Sequence, residues 1–174
     1  MLKIEEGEPW VMWPDMLVSN FIDYPANKIF DYSGEFEFKL TFELVAPVTR
    51  KSTLFSKLPS YFGIDIEQYG LLFIVTEDSK DTKYIFGDYT WELGRKYELI
   101  INKQFDYINI IVNGTQIIRY QVVSNLASDD ISHIILGAGN FPKNGFNLNY
   151  FSFILHHLSI EKEGVMLSEH NFEK

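Results

Sequence analysis

The chain has 174 residues, 15 Lys+Arg against 24 Asp+Glu, a formal charge of −9 and no cysteine. That length suits one domain, and 46% hydrophobic against 22% charged residues excludes a disordered chain. Without cysteine there are no disulfides, no thiolate catalysis and no cysteine-ligated zinc, and the acidic balance disfavours sequence-independent nucleic-acid binding. No apolar run approaches the ~18 residues of a membrane helix, and Met1 to Glu6 lacks the basic start and apolar stretch of a signal peptide. No membrane insertion is therefore expected, and the compartment stays unassigned.

Fifteen Phe, ten Tyr and three Trp favour pleated, half-buried surfaces. Residues 1–30, with Pro9, Pro14, Pro25, Trp10 and Trp13, read as an irregular lead-in. From Glu35 the pattern changes. Phe36, Phe38, Leu40, Phe42 and Leu44 alternate with charged or hydroxyl residues, which places all five on one face of a strand. A helix would spread them around its circumference and bury Glu37 or Lys39. Tyr61 to Glu67 alternates too, predicting Phe62, Ile64 and Ile66 inward and Gly63, Asp65 and Glu67 on a wet face. Leu71 to Thr76 is a continuous apolar run, as in a strand covered on both sides.

Strands are predicted at Lys83 to Phe86, Tyr97 to Asn102, Tyr107 to Val112 and Thr115 to Val122, with Asn113-Gly114 as a type I′ hairpin turn. Asn125 to Asp130 is read as one helical turn, and Ile131 to Leu136 and Phe151 to Ile160 as the last strands. In the latter, Phe151, Phe153 and Leu155 share one parity, and Leu158 and Ile160 the other. Either a β-bulge at His156-His157 restores both halves to the core, or Ile154 faces a second apolar layer. Val165 to Phe172 is read as a short terminal helix within a tail, 163–174, and Glu169 to Lys174 shows no strand pattern. Nine or more short strands joined by tight turns predict an all-β fold, a two-sheet antiparallel β-sandwich forming one domain.

Leu93-Gly94-Arg95-Lys96-Tyr97 to Asn102, followed by Tyr107 to Val112-Asn113-Gly114, resembles the middle of the concanavalin A-like jelly roll in its laminin G-like branch. Tyr97 stands where that branch usually has tryptophan. Phe36 to Leu44, Ser52 to Ser56, Ile134 to Gly137 and Phe151 to Ile160 resemble flanking strands of the same fold, so the likeness spans residues 30–162. It implies a concanavalin A-like jelly roll, a fold hosting lectins, carbohydrate-binding modules, glucanases, adhesion domains and structural inserts. Fold alone does not choose among them.

One enzyme branch of this superfamily carries Glu-x-Asp-x-Glu on a strand, and the chain has Gly63-Ile64-Asp65-Ile66-Glu67. Gly63 occupies the nucleophile position, so the carboxylate pair needed for a retaining glycosidase is incomplete and no enzyme is expected. His156 and His157 point to opposite faces unless a bulge re-aims them, and neither His133 nor His170 completes a ligand spacing. Asp78, Asp81, Asp129 and Asp130 read as turn aspartates bonding their own backbone, so no cofactor is expected, and calcium is not favoured. No phosphate loop or serine elbow is present: Gly137-Ala138-Gly139 lacks a third glycine.

Sugar recognition needs an aromatic face and planar hydrogen-bonding partners. Asp88, Tyr89 and Trp91 in one loop, with Asn140, Phe141 and Asn144 in another, supply both, and jelly-roll loops gather at a rim. Equally, Trp91 and Phe141 could be half-buried caps on the sandwich. The expectation is a non-catalytic, lectin-like carbohydrate-binding module of a larger surface-glycan, phage or cell-surface protein, whose partners are a glycan and the other domains of that protein. A structural or protein–protein interaction domain is the alternative, and glycan hydrolysis a distant third. Acidic polysaccharides should be avoided unless Arg95, Lys96 and Lys103 form a basic patch.

Overall fold

The computed structural model describes residues 1–5, 8, 10–12, 17–18, 32–58, 62–78, 81–126, 133–137 and 152–173. The first strands are β1 (Leu2–Ile4), β2 (Trp10–Met12), β3 (Leu17–Val18), β4 (Phe36–Leu44), β5 (Ser52–Leu58), β6 (Phe62–Glu67) and β7 (Gly70–Glu77). They are followed by β8 (Asp81–Asp88), β9 (Lys96–Gln104), β10 (Tyr107–Val112), β11 (Thr115–Gln121), β12 (His133–Leu136), β13 (Phe153–Lys162) and β14 (Val165–Asn171). One sheet runs β1-β13-β4-β9-β10-β11, with β14 also on β13; the other runs β3-β2-β12-β5-β6-β7-β8. Both are antiparallel, neither closes into a barrel, and the two stack as a jelly-roll β-sandwich.

The alternation in β4 is the reason for this layering. Phe36, Phe38, Leu40, Phe42 and Leu44 are all buried, and every residue between them is partly exposed. Phe38 packs on Phe55 of the opposite sheet with ring centres 5.4 Å apart, and Phe62 lies 4.9 Å from Tyr32 and 5.5 Å from Phe73. At the other end Phe42 meets Tyr97 at 5.8 Å and Phe153 at 6.0 Å. The phenylalanine-rich composition thus fills the space between the sheets with tilted and edge-on ring pairs.

Strand β13 resolves the phase break through a bulge. Leu155 pairs with Phe42 and His157 with Thr41, so His156 is the extra residue, and Phe153, Leu155, Leu158 and Ile160 all face the core. Asn113 (φ 47°) and Gly114 (φ 78°) make the type I′ turn, and the Asn113 side chain accepts a hydrogen bond from the Glu98 amide at 2.8 Å. Replacing Asn113 by Ala keeps a Cβ in left-handed backbone but removes the short amide side chain that suits that conformation, and with it the acceptor for the Glu98 amide. A loss of about 1–2 kcal/mol is expected, read as a melting-temperature fall of about 2–8 °C. Asn113→Gly should recover most of it; a wild-type melt for Asn113→Ala would refute the assignment.

Four expectations are corrected. Val165–Asn171 is not a helix but strand β14, returned against β13 by the turn at Glu163 (φ 48°) and Gly164 (φ 75°). Pairing with β13 supplies the backbone partners that the weak local pattern did not announce, and β14 takes in Glu169 to Asn171. The lead-in contributes β1, on the edge of β13, and β2 and β3, beside β12. Asp65 is not on a wet face: it is 3% exposed, because the outer side of the second sheet is buried at Thr53, Ser56 and Ile135 as well. In β7, Leu72 and Ile74 are half-exposed, so this strand is covered fully only on its inner side. Of the predicted turn at 125–130, Leu126 forms a bridge with Glu77, and 127–130 lie outside the described residues.

Candidate functional site

The β8–β9 loop holds three of the predicted ligand-binding residues. Asp88 ends β8 opposite Gly70 and is exposed. Tyr89 donates its amide to the Tyr69 carbonyl at 3.0 Å, and the Trp91 indole nitrogen donates to the Gly70 carbonyl at 2.8 Å. The Trp91 ring lies 4.6 Å from Tyr89 and 4.9 Å from Tyr97, against the core. Burial, with the neighbouring Tyr97 and Glu92, pushes the Tyr89 hydroxyl pKa up despite Arg95. With its donor engaged and its ring packed, Trp91 has the environment of a cap. Asn140, Phe141 and Asn144 lie outside the described residues, so the second loop of that reading is not placed.

The exposed rings stand beside this loop, on the outer face of the β7–β8 edge. Strand β8 ends its sheet, and its residues alternate: Ile85 and Gly87 are turned inward, Tyr84 and Phe86 outward at 59% and 49% exposure. Register places Tyr84 opposite Ile74 and Phe86 opposite Leu72, so two half-exposed aliphatic residues extend the same surface. Phe86 folds its ring across Gly70, where a Cβ would sit 2.5 Å from the ring, so only glycine permits this contact. Tyr69, 70% exposed, is the residue before that glycine. Phe86 and Tyr84 are thus exposed together on the outer face of β8, with exposed Tyr69 in the turn before Gly70.

Polar groups border these rings. Lys51 places its ammonium 6.0 Å from the Tyr84 ring centre and 3.4 Å from the Asp65 carboxylate, which also accepts from Thr53 Oγ1 at 2.7 Å. Glu67, at the end of β6, and Asp88 flank Gly70, and among the described residues neither is held in an ion pair. Sequence reading missed this surface, although Tyr84 and Phe86 were visible as alternate residues. Nothing local told which parity faces out.

Other candidates are engaged elsewhere. Buried His156 contacts Glu43 at 3.3 Å and Glu173 at 3.4 Å, whereas His157 contacts Glu169 at 3.2 Å, so the pair does not converge. His170 bonds Ser168 at 3.0 Å; burial and the nearby His157 hold its pKa down. Arg95 pairs with Glu92, Lys96 with Glu173, and Lys103 donates to the Gly34 carbonyl at the far end of β9, so these three cations form no patch. A cavity of about 360 Å³ at that far end is lined by Tyr32, Lys103, Ser124 and Leu126. Among the described residues no cluster of three His, Asp or Glu side chains has metal-binding geometry.

This edge and its two stacked sheets define a jelly-roll β-sandwich with an exposed aromatic face. No protein-family model matches the chain, and no curated protein matches it. Solved structures do. The receptor binding domain of botulinum neurotoxin D aligns with a TM-score of 0.61 at 14% identity, over 92% of this chain and 39% of that one. A botulinum neurotoxin type C structure, from work titled as showing cell entry dependent upon interaction with two ganglioside molecules, aligns with a TM-score of 0.52 at 12% identity, over 80% and 34%. Alginate lyase A1-II′, a member of polysaccharide lyase family-7, aligns with a TM-score of 0.52 at 14% identity, over 84% and 70%. The chain therefore spans about a third of the toxin chains, and at these identities the likeness is one of fold.

Proposed function

We propose that this chain is a non-catalytic glycan-binding module of a larger protein, with the β7–β8 edge as its ligand surface. The observation carrying this reading is the exposed pair Phe86 and Tyr84, with exposed Tyr69 in the preceding turn, beside the carboxylates of Glu67 and Asp88, which have no ion-pair partner among the described residues. Aromatic rings offer a flat apolar face for the C–H side of a pyranose, and carboxylates accept bonds from its hydroxyls. An exposed apolar surface of this kind marks an interaction site more often than an ordinary patch of a monomer. Fold neighbours whose titles name receptor or ganglioside binding support the reading by analogy, while the lyase shows that the fold also carries chemistry. Against catalysis here stands Gly63, which leaves the strand without a nucleophile, while Asp65 beside it is buried and already bonded.

Calorimetric titration against a glycan panel, with and without EDTA, tests the proposal. Binding that persists in EDTA is expected. Tyr84→Ala should weaken it by about 1–2 kcal/mol, roughly five- to thirtyfold, with an unchanged melting temperature. Absence of any glycan binding, with capture of a protein partner that Tyr84→Ala abolishes, would instead establish the interaction-domain reading.

A further inference from the structure

Resting on that glycan reading, we infer that the β7–β8 edge selects a neutral oligosaccharide chain over acidic ones and over single sugars. Both parts follow from the layout of the edge. Charge comes first. Among the described residues Lys51 is the cation that reaches one of these rings, and it is neutralised by Asp65, whereas Glu67 and Asp88 have no cationic partner there. Lys83, on the same strand, is of the opposite parity and donates to Tyr120 Oη on the other sheet at 3.1 Å. Residues 61–95 hold 3 basic and 7 acidic side chains, −4 of the total −9. A uronate or sialate carboxylate laid along Phe86 and Tyr84 would meet two like charges and, among the described residues, no unpaired guanidinium or ammonium, within a Debye length of about 8 Å. The hydroxyls of a neutral sugar, by contrast, are donors to those same carboxylates.

Spacing comes second. Tyr84 and Phe86 are two residues apart on one strand, so their rings leave it about 7 Å apart. Two rings so separated on one face of a strand address neighbouring sugars of a chain. One pyranose covers a single ring.

The test uses hexamers of glucose, mannose, xylose, galactose and N-acetylglucosamine, their monomers, and hexamers of galacturonate and mannuronate, titrated calorimetrically into the full chain. At least one neutral hexamer should bind, at least about tenfold tighter than its monomer and than either uronate hexamer at low salt, the latter gap narrowing as salt is raised. Glu67→Gln with Asp88→Asn should narrow the neutral-to-acidic gap without loss of the folded state, since both groups lie at the surface. A uronate hexamer binding as tightly as the best neutral one, or a monomer as tightly as its hexamer, would overturn this inference while leaving glycan binding in place. Binding by no sugar of any kind would overturn the glycan reading itself.

Discussion

Placing a glutamate at Gly63 is expected to destabilise the protein strongly, not to create a glycosidase. A Cβ built on Gly63 would sit 2.5 Å from the Phe55 carbonyl oxygen and 3.1 Å from the Ser56 Cα, both of them backbone atoms of β5 that cannot swing aside. The crowding arises because β5 bulges here: Thr53 pairs with Asp65 and Phe55 with Ile64, leaving Leu54 as the extra residue. The β5 backbone is thereby brought over Gly63. Gly63→Ala should therefore cost about 2 kcal/mol by overpacking. Gly63→Glu adds an ionised group on a surface where Ser56, Asp65 and Ile135 are all buried, beside the Asp65 carboxylate. At least about 4 kcal/mol in total is expected, a melting-temperature fall of about 8 °C or more. A Gly63→Glu variant that melts like wild type would sink the steric account, and one that turns over a glucan would refute the expectation that the added carboxylate creates no glycosidase.

The second large effect is expected at Glu77. Only 5% exposed at the end of β7, its Oε1 accepts from Tyr120 Oη at 2.6 Å and the Val123 amide at 3.3 Å, and its Oε2 from Ser124 Oγ at 2.9 Å. Tyr120 lies on β11 of the other sheet, so this carboxylate ties the two sheet edges together. Removing it in Glu77→Ala leaves three donors without their acceptor, for an expected loss of about 3 kcal/mol, or about 6–12 °C in melting temperature. Burial works to raise the Glu77 pKa, but the bonds from Tyr120, Ser124 and Val123 and the charge of Lys83 outweigh it, so the pKa lies below its ordinary value. Burial and the Glu77 carboxylate push the Tyr120 hydroxyl pKa up. Because the folded-state pKa of Glu77 is the lower one, its contribution is complete above the ordinary carboxylate range and is lost as pH falls through the depressed value. The melting-temperature gap between wild type and Glu77→Gln should thus be widest near neutrality and close in acid, below about pH 4. A gap that stays constant or widens in acid would contradict this arrangement.

Two readings taken from the chain alone survive in the fold, the alternation of β4 and the Asn113-Gly114 turn, and of the two alternatives left open at the histidine pair the fold takes the bulge. The first two depend on local rules: a period of two fixes which residues share a face, and positive φ is open to Asn-Gly. The parity change marked where the strand alters, and pairing with β4 decided how. The candidate site was legible only in part. Tyr89 and Trp91 lie in the loop leaving β8, as expected, while Asp88 is the last residue of the strand; Trp91 packs as a cap, and exposed rings stand on the strand itself at Tyr84 and Phe86.

Periodicity separates the two faces of a strand but does not name the side that meets solvent. Which side does so is set by neighbours distant along the chain: the bulged β5 that encloses Gly63 and Asp65, and the place of β8 at the end of its sheet, which leaves Tyr84 and Phe86 uncovered. The same holds for β14, whose weak alternation becomes a strand because β13 offers it a ladder. Composition and spacing determined an all-β chain with a phenylalanine core. The tertiary structure alone decided which polar groups are buried and which rings are free, because burial is a property of contacts made across the chain.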